Sequence, residues 1–401
     1  GVVWCLTLLE AETREPKRGP ASLLLLAALI GCLVGLGGLT RYAFGWVILP
    51  VVFYVFFIGG QKRIVLALTT FLVFAAVLTP WIVRNYMVSG TPFGTATYTI
   101  MAGTEFFPEH RLERSLNLEV SLSGLGISRL AWDKLITNSR QLLQEDLPKL
   151  GGSWLSAFFL VGLLVGFRSI AVRRIRYFVV GCLALLILVQ ALGRTQLSVD
   201  SPVINSENLL VLLTPLVVIF GVSLFLVLLE NINLPFPQLR LPVIAIFGGL
   251  VSLPLILTFL PPRTVPVAYP PYYPPAIQSS VGWVKEDELI MSDIPWAIAW
   301  YGQSQSVWLT LNQRPDFYAI NDYLKPIHEL FISHVAMDER RVTLGQWMKG
   351  GEQNWGEFIL GCLIRKNQNQ PGPPAGFPLR YWQPGWPELF LLTSREQWPK
   401  D

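Results

Sequence analysis

The sequence is poor in charged residues. Only 14% of its 401 residues are Asp, Glu, Lys or Arg, against about 25% in ordinary soluble domains. The 31 basic and 27 acidic residues leave a net charge of +4, which is too small to attract a polyanion and argues against a nucleic-acid partner. Because 52% of the residues are hydrophobic and the mean hydropathy is +0.46, a disordered chain is excluded as well.

Cysteines and cofactor motifs are also scarce. Four cysteines lie far apart in the sequence, too few and too scattered for a disulfide scaffold or a zinc site. The sequence contains no Walker loop, no G-x-G-x-x-G, no H-E-x-x-H and no G-x-S-x-G motif. We therefore expect no cofactor and no metal. His328 and His334 are interpreted as surface or core residues of a domain.

Long apolar runs are what the sequence has in abundance. A helix needs about 20 mostly apolar residues to cross a bilayer. Seven runs reach or approach that length and predict seven membrane-spanning helices: 21–39, 43–58, 64–83, 150–167, 177–192, 209–229 and 241–261. The 14 tryptophans and 23 phenylalanines suit a protein with two membrane interfaces. Glycines such as Gly31 and Gly35 would let the helices approach closely. The alternative, which we favour for any single glycine, is that glycine is simply common in membrane helices.

Lys and Arg are divided unevenly between alternate short loops. One set of loops carries ten of them, whereas the other set carries only Arg41 and Arg194. Cytoplasmic loops are enriched in Lys and Arg, so we predict that the set of ten lies in the cytoplasm. Seven crossings then place the C-terminus and the long loop 84–149 outside, in a protein of the bacterial inner (plasma) membrane.

The chain is predicted to have three parts. Residues 1–261 form an α-helical transmembrane bundle with the outer loop 84–149, residues 262–275 form a stiff proline-rich linker, and residues 276–401 form a small extracytoplasmic α/β domain. Within the loop, Ser128 to Leu147 predicts an imperfect amphipathic helix that ends at Pro148. This helix either lies on the membrane surface, packs on the domain beyond, or is an ordinary packed helix.

In the third part, short apolar runs alternate with polar stretches. They predict strands at 288–292, 306–311, 329–333, 358–364 and 389–393. Asp293 is the predicted N-cap of a helix with Pro295 in its first turn, and further helices are predicted near 313–326 and 338–350. Nine of the 14 tryptophans fall in this part. They indicate either a carbohydrate-stacking surface or, more commonly, a core with a membrane-facing edge.

Candidate binding residues lie at the predicted outer ends of the spans. Thr40-Arg41-Tyr42 follows the first span, Arg84-Asn85 ends the third, Arg194 follows the fifth, and Ser206-Glu207-Asn208 precedes the sixth. We predict that a cluster around one outer cavity binds a lipid phosphate through these residues: Arg41, Tyr42, Arg84, Asn85 and Arg194. The alternative is that each arginine anchors its helix end at the interface. Glu105 and His110 are titratable groups of the outer loop.

These clusters resemble parts of a known family. Leu39-Thr40-Arg41-Tyr42 after a Gly-rich span, and Thr79-Pro80-Trp81-Ile82-Val83-Arg84-Asn85-Tyr86 at the end of the third, are similar to the middle of GT-C class integral-membrane glycosyltransferases. These are relatives of protein O-mannosyltransferases and aminoarabinose transferases. Glu207-Asn208-Leu209-Leu210 and the segment 292–302 resemble later parts of the family. The resemblance implies transfer of a sugar from a polyprenyl-phosphate donor to an acceptor at the outer face.

Two departures from the family pattern shape this expectation. In this family the catalytic acid lies in the first outer loop, between the first two helices. The present sequence resembles the family only downstream of that loop, so we expect an N-terminally truncated chain and assign no catalytic residue. Position 207 is Glu where the family has a basic residue. A transporter or flippase of lipid-linked sugars is the first alternative, although such proteins place ionisable groups at mid-membrane. A membrane-anchored binding protein is the second. The acceptor is not indicated.

Overall fold

The computed structural model describes residues 1–15, 19–102, 107, 111–116, 124–152, 154–165, 170–193, 209–232, 235–260, 274–282, 284–333, 353–368, 372–373, 376–382 and 390–396. The chain divides into two compact units. The first comprises Gly1–His110 and Ser121–Arg263, and the second comprises Arg111–Val120 and Thr264–Asp401. The first unit is helical, and the second combines helices with a sheet.

The described helices are, in chain order, α1 (Val2–Arg14), α2 (Pro20–Thr40), α3 (Tyr42–Gly45), α4 (Ile48–Ile58), α5 (Arg63–Ser89), α6 (Arg111–Arg114), α7 (Gly124–Gln141), α8 (Leu147–Lys149), α9 (Trp154–Leu164), α10 (Ile170–Gly193), α11 (Thr214–Asn231), α12 (Arg240–Phe259), α13 (Pro274–Val281), α14 (Pro295–Gly302), α15 (Pro315–Tyr323) and α16 (Gln353–Asn367). All except α6 and α13–α16 belong to the first unit.

Four helical segments are long and apolar enough to cross a membrane. They are Ala21–Thr40, Gly60–Ser89, Val172–Gly193 and Leu209–Asn231. A fifth would be the bent pair Ser128–Lys149 and Trp154–Leu164, whose two parts meet at 111°. The membrane character of the chain is therefore supported, but the predicted count of seven is not.

The remaining predicted spans form shorter helices. The run 43–58 is interrupted between Gly45 and Ile48, and 150–167 contributes only the 11 residues of α9. Eleven residues rise about 16 Å, roughly half the thickness of the hydrocarbon core. The run 241–261 forms α12, a helix of 20 residues, of which the segment Arg240–Leu253 is counted as a shorter apolar helix.

Glycines allow the central helices of the first unit to pack closely. A Cβ atom at Gly31 of α2 would lie 2.2 Å from the Thr70 carbonyl oxygen of α5, and one at Gly35 would lie 2.8 Å from Val77. The Thr70 hydroxyl donates a hydrogen bond across the same contact to the Ala27 carbonyl, at 3.1 Å. The expectation of close helix approach at these two glycines is confirmed.

The predicted amphipathic helix packs on the bundle. Its described form is α7, a π-helical turn Leu142–Asp146 and α8, and α7 packs against α10. The helical backbone does not end at Pro148, as predicted, but continues to Lys149. Pro148 is the second residue of α8 and directly follows the π-helical turn.

The second unit contains one five-stranded sheet. Its strands are β1 (Leu289–Ser292), β2 (Gln305–Trp308), β3 (Ile327–Ile332), β4 (Tyr381–Trp382) and β5 (Phe390–Thr393). The spatial order is β2-β1-β3-β5-β4. Strands β1, β2 and β3 are parallel, and β5 runs antiparallel to both β3 and β4.

Helices cover both faces of this sheet. On one face, α13 and α14 pack through residues such as Ile277 and Ile298 against Ile290 and Phe331 of the sheet. On the other face, α15 and α16 pack through Phe317, Trp355 and their neighbours. The α/β character predicted for residues 276–401 is thus present, and alternate residues of β3 enter the two cores.

Several predictions for the second unit are wrong in detail. Residues 358–364 are not a strand but part of α16, because Trp355, Phe358, Ile359 and Cys362 bury one face at helical spacing. Asp293 is not the N-cap of α14, whose cap position is Ile294. The predicted linker ends early, because Pro274 and Pro275 already form the first turn of α13. Residues 261–273 and 338–350 lie outside the described residues.

Candidate functional site

Tyr42 is the centre of a hydrogen-bonded cluster at one end of the helical unit. Its hydroxyl oxygen accepts hydrogen bonds from Trp81 Nε1 at 2.5 Å and from Asn85 Nδ2 at 2.8 Å. Trp81 and Asn85 are one turn apart on α5, so they reach the same oxygen from the same face. Phe93 packs edge-on against the Tyr42 ring, with 5.5 Å between the centroids. Two motifs about 40 residues apart therefore form one cluster.

The two arginines of these motifs flank the cluster. The Arg84 guanidinium lies over the Trp81 ring, 4.9 Å from its centroid. Arg84 is exposed, and no hydrogen bond joins its guanidinium to another residue in the described part of the chain. Arg41 is half-buried and immediately precedes Tyr42 at the start of α3. The stacked guanidinium keeps its five N–H donors available for an anion.

The turn between α2 and α3 places Tyr42. A Cβ atom at Gly37 would lie 2.2 Å from the Phe44 ring, and Gly38 faces Gly45 across the turn, with only 3.4 Å from a Cβ built at Gly38 to the Gly45 Cα. Only residues without side chains fit there, so the chain reverses within a few residues and brings Tyr42 toward α5. Helix α5 ends at Gly90, which has a φ of +69°, a conformation that glycine adopts without strain.

The segment after α5 is fixed by a lysine that the sequence analysis did not single out. Lys134 of α7 is 9% exposed, and its Nζ donates to the carbonyl oxygens of Thr99, Ile100 and Ala102 at 2.9, 3.3 and 2.6 Å. The start of the same segment accepts a bond from Asn85 at the Pro92 oxygen, 3.4 Å away. Lys134 is thus a positioning residue for the loop that borders the cluster. A lysine on an amphipathic helix gives no sequence signal for such a role.

The carboxyl end of α10 lies beside the same segment. Asn138 of α7 donates to the Ala191 carbonyl at 2.7 Å, and a Cβ atom at Gly193 would contact Thr99 at 3.7 Å. Arg194 follows directly but lies outside the described residues, so its predicted role stays a prediction. Glu105, His110, Glu207 and Asn208 also lie outside them.

An apolar groove of about 370 Å³ runs along α4 and α5. Its lining contains no polar surface and consists of Ile48, Leu49, Val52, Phe53, Phe56 and Phe71. Helix α4 begins close after Tyr42, and α5 also carries Trp81 and Arg84. The groove and the cluster therefore share helix α5, while Tyr42 lies on α3 and most of the groove lies on α4.

A separate buried carboxylate joins three helices of the first unit. Glu10 of α1 is 1% exposed, accepts a hydrogen bond from the Tyr54 hydroxyl at 3.1 Å, and pairs with Arg174 at 3.2 Å. Tyr54 belongs to α4 and Arg174 to α10. Removal of one partner of such a buried pair leaves an uncompensated charge, so Glu10 is a structural link.

Two acids of the second unit, the partly buried Asp293 and the buried Glu329, were not predicted as candidate site residues. Asp293 accepts hydrogen bonds from the Ser333 backbone N–H at 2.9 Å and from the Ser333 hydroxyl at 2.7 Å. Desolvation raises the pKa of Asp293, and these hydrogen bonds oppose the shift. Glu329 on β3 is fully buried, and neither of its carboxylate oxygens has a partner among the described residues. Desolvation raises the pKa of Glu329 to about 8.

No protein-family profile, curated protein or solved structure matches the chain. In the described part of the chain, no group of three or more His, Cys, Asp or Glu residues is arranged to hold a metal ion. His328 instead lies near Ser394, with 3.2 Å between Nδ1 and the hydroxyl oxygen. In the first unit, the described residues place an exposed guanidinium, that of Arg84, and part of an apolar groove on the same helix, α5.

Proposed function

We propose that the protein is a membrane glycosyltransferase that uses a polyprenyl-phosphate-linked sugar, with the Tyr42 cluster as the site for the lipid phosphate. The observation that carries the proposal is the convergence of Trp81 and Asn85 on one Tyr42 oxygen, with the Arg84 guanidinium stacked on Trp81. Such a stacked guanidinium is held in place before an anion arrives, and a phosphate takes two of its N–H donors at once.

The apolar groove supports a lipid rather than a soluble phosphate. Its six lining residues are all aliphatic or aromatic, and it lies along helices α4 and α5, the second of which is long and apolar enough to span a membrane. An isoprenoid chain is apolar along its whole length, so it would gain contact with these side chains. Phosphate at the cluster and chain in the groove would place the sugar beside Arg41 and Arg84.

The proposed reaction needs no covalent enzyme intermediate. The bond between the sugar carbon and the lipid-phosphate oxygen breaks, and a bond from an acceptor hydroxyl oxygen to that carbon forms. The hydroxyl proton passes to a general base, a role that we assign to no residue of this chain. Negative charge grows on the departing phosphate, and the Arg84 guanidinium stabilises it there.

The activity is proposed for the full-length protein, so the test is a turnover assay with the full-length protein in lipid nanodiscs. The substrate is a radiolabelled polyprenyl-phosphate sugar, water serves as the hydroxyl acceptor of the sugar, and the product measured is free polyprenyl phosphate. Arg84→Ala should reduce turnover roughly tenfold to hundredfold, as expected when a charged hydrogen-bond donor to the leaving group is lost. If the wild type and Arg84→Ala release polyprenyl phosphate at the same rate, Arg84 only anchors the end of its helix at the membrane interface.

Arg63 provides a matched control. It begins the same helix, α5, and its guanidinium lies 5.0 Å from the centroid of the Phe56 ring, which is nearly the distance from Arg84 to Trp81. Arg63→Ala should leave turnover unchanged. Movement of the intact lipid-linked sugar between leaflets, with no polyprenyl phosphate released by wild type, would overturn the transferase proposal in favour of transport.

A further inference from the structure

The order of the parallel strands creates a topological switch point at the carboxyl ends of β1 and β3 in the second unit. From β1 the chain passes through α14 to β2, and from β2 it passes through α15 to β3 on the other side of β1. Helices α14 and α15 lie on opposite faces of the sheet. Open α/β sheets bind ligands where successive crossovers diverge in this way, outside the carboxyl ends of the strands.

Polar side chains occupy this switch point between β1 and β3. Asp293 directly follows β1, and Ser333 directly follows β3. The Asp293 carboxylate accepts hydrogen bonds from the Ser333 hydroxyl and backbone N–H, and a longer one from Ser292 at 3.4 Å. A carboxylate has about four acceptor positions, so Asp293 can accept a further donor from a ligand.

Two tryptophans lie at the carboxyl ends of the same strands, on the β2 side of β1 rather than on the β3 side. Trp308 is the last residue of β2 and is paired in register with Ser292. Trp296, at the start of α14, packs edge-on against Trp308, with 5.4 Å between the centroids and rings at 90°. Trp296 is 51% exposed. Since neighbouring strands are about 4.8 Å apart, β2 and β3 are roughly 10 Å apart across β1.

The backbone beside the tryptophans is held in place. The Leu309 N–H donates to the Ser292 carbonyl at 2.8 Å. Arg114 of α6 donates to the Leu309 and Thr310 carbonyl oxygens at 2.6 and 2.8 Å. The loop that follows Trp308 is therefore fixed to both β1 and α6, so the indole pair needs little reordering when a ligand binds.

We infer that Asp293, Trp296 and Trp308 form an edge that binds a neutral carbohydrate, with the buried Ser333 holding the Asp293 carboxylate in place. A carboxylate selects ligands with hydrogen-bond donors and repels anions, and an exposed indole face packs on an apolar ring face. A sugar ring presents hydroxyl donors at its rim and C–H groups on its face, so it meets both requirements at once. This site is independent of the proposed transferase activity, since it lies entirely in the second unit.

The test is saturation-transfer NMR with the full chain in phosphatidylglycerol nanodiscs, free of sugar-based detergents. The probes are maltose, cellobiose and lactose, with choline and inorganic phosphate as competing ligand classes. At least one disaccharide should bind to the wild-type chain. Trp296→Ala and Asp293→Asn should each weaken its binding about tenfold, the effect of losing one aromatic or hydrogen-bond contact.

Trp300→Ala is the matched control, because Trp300 lies on the same helix, is 75% exposed, and is one turn away from Trp296. It should leave binding unchanged. Because Trp296 is exposed, its replacement should not unfold the unit, and protection of the β1 and β3 amides from hydrogen exchange checks this. Binding of choline in place of the disaccharides, no disaccharide binding at all, or equal loss in Trp296→Ala and Trp300→Ala would overturn the inference.

Discussion

Glu329 should make the stability of the second unit depend on pH. Its side chain is fully buried on β3, opposite Thr393 of β5 and beside Ile290 of β1. Desolvation raises its pKa from 4.5 to about 8. The folded state therefore holds the proton more tightly than the unfolded state does, and between these two pH values the folded state keeps a proton that the unfolded state has lost.

The sign and size of the effect follow from this difference. The raised pKa of Glu329 stabilises the folded second unit, and this contribution is complete below about pH 4.5. It decreases as the pH rises to about 8 and does not change further above that. Each pH unit within the window lowers the free energy of unfolding by about 1.4 kcal/mol, so the loss between pH 5 and pH 7 is about 3 kcal/mol. Glu329→Gln has nearly the same shape and cannot ionise, so it should abolish this loss.

Hydrogen exchange measured by mass spectrometry can follow the unit within the full chain. After correction for the intrinsic exchange rate, protection of β1, β3 and β5 amides in the wild type should decrease up to about tenfold per pH unit. The same amides in Glu329→Gln should keep nearly constant protection. Parallel pH profiles for the two proteins would show that Glu329 is ionised in the folded state and would refute the reasoning.

Three further predictions concern the first unit. Gly31→Ala places a Cβ atom against the Thr70 carbonyl and should lower the melting temperature in detergent by several degrees, whereas Gly248→Ala, with no atom within 4 Å of the new Cβ, should not. Lys134→Met should increase hydrogen exchange in residues 99–102, because three carbonyls lose their donor; unchanged exchange would show that other contacts hold that segment. Tyr42→Phe removes the shared acceptor and should weaken polyprenyl-phosphate binding about tenfold while the melting temperature changes little. If Tyr42→Phe binds polyprenyl phosphate as tightly as the wild type does, the Tyr42 hydroxyl is not needed for the site.

The sequence predicted secondary structure best where the hydrophobic period was clear. Strands β1, β2, β3 and β5 were located within two or three residues because short apolar runs were separated by turn residues. The run 358–364 was assigned to a strand because a short continuous apolar run has no period of its own. Its helical nature depends on Trp355 upstream, which completes the buried face of α16.

The candidate site was predictable as a set of residues but not as a geometry. Tyr42 follows the first predicted span and Asn85 ends the third, so the sequence placed both residues at the same end of the bundle. Their shared hydrogen bond depends on glycines 37, 38 and 45, which determine the α2–α3 turn in three dimensions. The buried positions of Lys134 and Glu329 were not predictable, because charged side chains in amphipathic patterns usually face solvent.

The most direct test of the central proposal is the affinity of the full chain for polyprenyl phosphate, measured by native mass spectrometry from nanodiscs, with phosphatidylglycerol as the competing anionic lipid. We expect preferential binding of polyprenyl phosphate by the wild type and Arg63→Ala, and an affinity about tenfold lower for Arg84→Ala. Equal affinities of Arg84→Ala and the wild type, or no preference over phosphatidylglycerol, would contradict it.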